Sequence, residues 1–198
     1  MQIAGLILAG GRSSRMGANK ARQTLGESTL IARAAHGLSA QVTRIAISAN
    51  EPLDMDRSIP ILPDTLPNFA GPLAGILAGL LWAQVLPDRT DFLAIIPVDA
   101  PFFPSNLVAN LSHQTPPDFI TVARCNGETH QTFSLWPISL AQVLEAYLVN
   151  NGSLKLMDFI ASQNHRFVDF EAAQGFDPFM NINTPDDLKA AELILKNL

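Results

Sequence analysis

"LILAGGRSSRMGANK", residues 6–20, decides the fold class of this chain. It starts inside "IAGLIL", residues 3–8, an apolar run with no alternation. A strand covered on both faces by helices reads this way, so a parallel strand is expected there. The run stops at Gly10 and Gly11 and a loop over 9–20 follows. In an open parallel sheet, ligands bind outside the carboxyl ends of the strands, and this loop leaves from such an end. The two glycines let backbone N–H groups come close to a ligand. Arg12, Arg15 and Lys20 add cations, and Arg15 and Lys20 are far enough apart to reach different phosphates. A glycine turn with solvated arginines would need none of this clustering. The combination is the chemistry of a nucleoside triphosphate site. It is neither a Walker A loop nor GxGxxG, because the glycine and lysine spacings fit neither.

Outward from that loop, strands and helices alternate. A helix is expected over 28–39, with Ser28 or Thr29 as cap and Leu30, Ile31, Ala34 and Leu38 near one face. Strands are expected at 44–48 and, as a proline-bounded edge, 59–64. "PLAGILAGLLWAQ", 72–84, is apolar almost all round and reads as a buried helix, followed by a buried strand over 91–99. This alternation means crossover units and a mostly parallel sheet. The second half differs. Strands are expected at 118–124, 131–136 and near 166–170, and helices at 139–149, 154–162 and 185–196. The last helix opens "TPDD", with Thr184 as cap, Pro185 in the first turn and Asp187 where a capping box places an acid. The fold class is therefore α/β: a three-layer α/β/α, Rossmann-like domain whose mostly parallel sheet gains antiparallel strands in its C-terminal half.

A second constellation is "IIPVDAPFFP". Asp99 stands where a buried strand ends, so its carboxylate points into the crevice. An acid facing a triphosphate repels it unless a divalent cation lies between, and Mg²⁺ accepts one or two carboxylates plus phosphate oxygens. The plainer alternative is an N-cap. Asp64 follows another strand end and suits a ribose hydroxyl, a base or an ordinary turn. Gly71 in "FAGPLAG" allows a ligand against backbone or close helix packing. Asn181 and Asn183 in "NINTP" offer neutral amides to the crevice or stabilise the turn before the last helix.

The whole chain sets bounds. Its 198 residues suffice for one domain with a substantial core, and 47% are hydrophobic. A net charge of -5 argues against a non-specific nucleic-acid or membrane binder, though not against a local basic pocket. Neither a signal peptide nor a membrane span is expected. The single Cys125 allows no internal disulfide, which fits a reducing cytosol. His36, His113, His130 and His165 have no mutual metal-ligand spacing; only His130 is a candidate for the site.

"LAGGRSSRMGANK", "GPLAG", "PVDAP" and "NINTP", in that order, resemble the molybdenum cofactor guanylyltransferase family, with its nucleotidyltransferase fold of the sugar-nucleotide pyrophosphorylase type. The resemblance runs from about residue 3 to about 195. It implies transfer of GMP from GTP to the molybdenum-bearing molybdopterin, with loss of pyrophosphate. By resemblance, Leu8, Ala9, Gly10 and Gly11 line the guanosine and phosphate site. Lys20 holds phosphate, Asp64 contacts the nucleoside and Asp99 binds Mg²⁺. Arg15, Gly71, Asn181 and Asn183 lie toward the pterin. Arg15, Lys20 and Asp99 would serve the transfer itself. The double glycine favours guanine over cytosine. Ser48, in "ISAN", stands where the family often has an asparagine and can still hydrogen-bond a ribose or base. A single domain over 1–198 is implied, nucleotide-binding to about 104 and acceptor-binding beyond. Transient partners that deliver or receive the cofactor, and a cytoplasmic setting, are further expectations. Two other readings stay open: a molybdopterin cytidylyltransferase or other enzyme of the same fold, and a non-catalytic nucleotide-binding adaptor.

Overall fold

The computed structural model describes residues 1–10, 20–65, 71–151, 153–172 and 175–197. The expectations for Gly11, Arg12 and Arg15 lie outside these residues.

Among the described residues, nine strands and six helices follow one another: β1 (Ile3–Leu8), β2 (Thr24–Leu25), β3 (Ser28–Thr29), α1 (Leu30–Ser39), β4 (Arg44–Ser48), β5 (Ile61–Leu62), α2 (Pro72–Gln84), β6 (Phe92–Pro97), α3 (Leu107–Ser112), β7 (Ile120–Cys125), β8 (Glu128–Pro137), α4 (Ala141–Asn151), α5 (Leu156–Ala161), β9 (His165–Phe170) and α6 (Pro185–Asn197). Seven strands form one sheet in the order β5-β4-β1-β6-β8-β7-β9; β2 and β3 form a separate hairpin. Pairings β4–β5, β1–β4, β1–β6 and β7–β9 are parallel, and only β8 runs against its neighbours β6 and β7. The antiparallel character of the second half thus comes from a single reversed strand.

Alternate residues of each central strand feed two cores. Ile7, Ile47 and Ile96 pack with α1, α3 and α6. Leu6, Leu8 and Ile95 pack with α2, α4 and α5 on the other face. This double coverage is why β1 and β6 read as unbroken apolar runs. In α1, Thr29 caps the helix by accepting the Ala32 N–H at 3.3 Å. That cap contributes about 1 kcal/mol. Burial of Leu30, Ile31 and Leu38 contributes about 1.5–3 kcal/mol each, so packing rather than capping fixes the helix. Helix α2 lies between the sheet and α4, which accounts for its apolar circumference.

β2, β3 and α3 are not expected from the sequence, and three further elements differ from the sequence reading. The helix expected from residue 28 starts at Leu30, because Ser28 and Thr29 pair with Leu25 and Thr24. Only Ile61 and Leu62 of the 59–64 stretch join the ladder. β8 begins at Glu128, earlier than expected, because Asn126 and Gly127 both adopt positive φ (50° and 81°). Two such residues make the tight turn that matches strand twist.

Candidate functional site

Strand β1 marks the switch point of the sheet. The chain leaves it through α1 to β4 on one side and returns through α2 to β6 on the other. The crevice therefore opens beyond the carboxyl ends of β1 and β6. Main-chain hydrogen bonds hold those ends in register: Val98 N–H donates to Leu8 O at 3.0 Å, and Ala9 N–H to Ser48 O at 2.9 Å.

Asp99 stands two residues past β6, and Lys20 opens a short 3₁₀ turn, Lys20–Arg22, after the glycine loop. Lys20 Nζ donates to Asp99 Oδ2 at 2.9 Å, and both side chains are 20% exposed. Lys20 Nζ also donates to Asn183 Oδ1 at 2.5 Å. The Asn181–Asn183 stretch is fixed to the same place, since Ile182 N–H donates to Asp99 O at 2.7 Å. Residues 79 and 163 positions apart in sequence from Lys20 thus meet on one ammonium group. Asn181 itself is exposed.

The cap of α6 supports this arrangement. Asp187 Oδ2 accepts the N–H groups of Asn183 and Thr184, and Thr184 Oγ1 accepts the Asp187 N–H. This is a capping box extended by one residue toward the site. The Asn183 backbone bond, above all, holds the Asp187 carboxyl below its ordinary value of 3.8 against the opposing effect of burial; Thr184 and the Lys20 charge add to it.

The remaining candidates line the same edge. Asp64 and Asn50 exchange two hydrogen bonds: Asn50 Nδ2 donates to Asp64 Oδ2 at 2.8 Å, and Asp64 N–H to Asn50 Oδ1 at 2.9 Å. Asn50 therefore sets the orientation of the Asp64 carboxylate. Sequence reasoning passed over Asn50; its place in "ISAN", two residues past a strand end, was the available signal. Ser48 is only 4% exposed, and a Cβ at Gly75 would collide with its hydroxyl and Cβ, so its side chain faces α2. Leu8 is buried on the α2 side, Ala9 is half-buried and Gly10 is exposed at the rim. Gly71 is the N-cap of α2 at φ 144°, a conformation that L side chains rarely adopt, with Leu154 3.8–3.9 Å from where its Cβ would be. The backbone thus demands this glycine.

The Asp99 carboxylate and the Asn183 amide oxygen are oxygen donors of the kind Mg²⁺ accepts beside water and substrate phosphate oxygens, whereas the Lys20 ammonium, which donates to both of them, is no metal ligand. No group of three or more His, Cys, Asp or Glu side chains gathers among the described residues, so an all-protein cage for a softer metal is not built there. Cys125 is buried at the end of β7, and burial, then the Asp177 carboxylate, pushes its thiol up. It is held as a thiol, away from nucleophilic work.

Residues 5–167 match the MobA-like NTP transferase domain family. The chain is 41% identical over 201 residues to the molybdenum cofactor guanylyltransferase of Rhizobium johnstonii, covering 99% of this chain and 94% of that protein. It is 41% identical over 202 residues to the protein of the same name from Rhizobium leguminosarum bv. trifolii, covering 100% and 95%. Among solved structures it resembles molybdopterin-guanine dinucleotide biosynthesis protein A from Archaeoglobus fulgidus. There the TM-score is 0.77 at 22% identity, with 98% of this chain and 100% of that one covered, which establishes the shared fold. On the family match over most of its length and the identity it shares with these relatives across nearly the whole chain, the chain belongs to the molybdenum cofactor guanylyltransferase family.

Proposed function

We infer that this protein transfers GMP from GTP to the molybdenum-bearing molybdopterin and releases pyrophosphate. The observation that carries the reading is the Lys20–Asp99–Asn183 junction at the switch point, in a chain of this family. The terminal phosphate of the pterin attacks the α-phosphorus in line. A new P–O bond forms to the acceptor, the bond to the β-phosphate bridge oxygen breaks, and its electron pair leaves with pyrophosphate. The attacking group is already anionic near neutral pH, so no side-chain nucleophile or general base is required. The work left to the protein is positioning and charge neutralisation.

Lys20 supplies the cation against the triphosphate and the leaving group, and Asn183 aims it. Gly10 and Gly11 offer backbone to the phosphates, while Leu8 and Ala9 form the floor beside the nucleoside. Asp64, oriented by Asn50, takes nucleoside donors, and Ser48 contributes through its backbone. Arg15, Gly71 and Asn181 serve the acceptor side. Mg²⁺ is the proposed cofactor, held by Asp99, and when bound it would neutralise phosphate charge in the transition state. The cytoplasm is the proposed compartment, with transient cofactor-delivery and apoenzyme partners.

The test is pyrophosphate release with molybdenum-loaded molybdopterin and Mg²⁺, run in parallel with GTP, CTP, ATP and UTP. Release with GTP alone is expected. Release with CTP alone would overturn the base assignment, and no release with any nucleotide would overturn the transfer reaction. Asp99→Ala should lower turnover by about 100-fold or more while the thermal midpoint holds; near-normal turnover with Mg²⁺ removes Asp99 from the metal role.

A further inference from the structure

An imidazole–carboxylate pair outside the Lys20 junction lies at the same edge of the sheet. β8 is reversed, so its first residues stand beside the carboxyl ends of β6 and β7. Its register is irregular there: Val122 pairs with Ser134 but Ala123 with His130, so residues 131–133 bulge out. A bulge re-aims the side chains beside it. His130 Nε2 ends 3.1 Å from Asp177 Oδ2, with the His130 side chain 14% exposed and that of Asp177 26% exposed. The ring nitrogen is buried and has no well-aligned hydrogen bond, so the carboxylate lies beside it rather than along the N–H direction. The ring also packs on Phe179, centroid to centroid 4.9 Å.

Asp177 lies in the connection between β9 and α6, whose described residues carry no helix or strand. Besides His130, Asp177 meets the Cys125 thiol, and its carbonyl accepts the Met180 N–H at 3.1 Å. Asp177 Oδ1 accepts the Phe179 N–H at 2.8 Å. Phe179 is 1% exposed, wedged against Phe133 and Phe170 at 4.7 and 5.2 Å. Three residues on, Ile182 bonds to Asp99 O, and the next side chain, Asn183, holds Lys20. The path from β8 to the reacting edge is therefore continuous: His130, Asp177, Phe179, Ile182, then Asp99 and Lys20.

We propose that His130 and Asp177 are a positioning pair, which clamps the 177–183 segment to β8 and so keeps Asn183 and the Asp99 main chain where Lys20 is seated. Neither residue touches the Lys20 ammonium; they act through the segment between. A displacement of about 1 Å at such a distance can cost about 100-fold in rate. The kinetic consequence rests on the proposed transfer reaction, whereas the clamping itself does not.

Amide hydrogen exchange on the full chain tests the clamp directly. In His130→Ala and in Asp177→Asn, exchange across 177–184, including the Ile182 amide, should speed up by about tenfold or more (about 1.4 kcal/mol of opening free energy), while β1 and β6 keep their protection. Unchanged exchange at 177–184 in both variants, or an equal rise in β1 and β6, overturns the pair. If His130→Ala fails to fold, His130→Gln takes its place beside Asp177→Asn under the same criteria. A double-mutant cycle then tests the coupling. His130→Ala should lower kcat/KM for GTP by about tenfold in the native background but by less than about twofold when Asn183→Ala is already present. Full multiplication of the two losses would show that His130 does not act through this segment. A native enzyme inactive with every nucleotide overturns the transfer reaction alone, and exchange still decides the clamp.

Discussion

Gly10 and Gly75 border the same crevice for opposite reasons. A Cβ at Gly75 would run into the Ser48 side chain and come within 3.2 Å of Leu8, so α2 can approach the strand tips only without it. At Gly10 the one neighbour among the described residues is Ser48 O, 3.9 Å from a hypothetical Cβ, and its φ is not in the left-handed region. Among the described residues there is room for a methyl there, and the proposed nucleotide against this backbone would take that room. Gly75→Ala should therefore destabilise by about 1–3 kcal/mol. Gly10→Ala should keep the thermal midpoint within about 2 °C and weaken GTP binding about tenfold. Thermal melts and GTP titration of both variants check this, and a Gly10→Ala protein with native affinity would return that glycine to a turn role. At this scale the sequence was informative where a residue type is scarce for its place. Asp99 ends an apolar run, Lys20 closes the glycine loop and Asn183 precedes a capped helix, and the three converge. Asn50 and Asp177 did not stand out, because their roles depend on partners that only the folded chain brings near.

At the scale of elements, the long ones followed from pattern. β1, β4, α2 and the start of α6 lie where periodicity and caps put them, because each buries a full face or completes a capping box. The short ones did not. β2 and β3 have two residues each, and the six residues of α3 include Leu107, Val108 and Leu111, too few for a period to emerge. Tertiary packing against β7 and β8 makes α3, not its own propensity. The start of α6 carries a pH prediction. Asp187 has a folded pKa below its ordinary 3.8, first because of the Asn183 N–H. A depressed carboxyl stabilises the fold fully above its unfolded pKa, and the contribution fades as pH falls through the lower folded value. The native protein should therefore lose part of its stability below about pH 4. Asp187→Asn should be less stable at pH 7 and should lose less on acidification over the same range. Urea melts at pH 7 and at steps from 4.5 to 2.5 decide it; parallel stability curves for the two proteins would sink the linkage.

On the scale of the whole molecule, the two halves suggested by function do not coincide with two folding units. β6 belongs to the first half, yet it pairs along Phe92–Ile95 with β8 of the second. Both cores draw on both halves: Ile7 and Ile47 share one with Phe133 and Phe179, and Leu6 and Leu77 share the other with Trp136 and Phe159. The crevice itself depends on the return of the chain, because Ile182 and Asn183 complete the surroundings of Asp99 and Lys20. Residues 1–104 alone would leave the β6 edge unpaired and the outer face of α2 without α4. Such an edge invites association, and the exposed helix face adds to it. Two Trp residues report on the question, Trp82 from α2 and the fully buried Trp136 from β8. Full-length protein should unfold in urea with coincident fluorescence and far-UV circular dichroism transitions, as one cooperative unit. The 1–104 fragment should show no cooperative melt and should bind GTP at least about 100-fold more weakly, a loss of about 2.7 kcal/mol. A fragment that melts sharply and binds GTP as the whole chain does would mean that the nucleotide half folds by itself, with the second half docked onto a finished site rather than helping to build it.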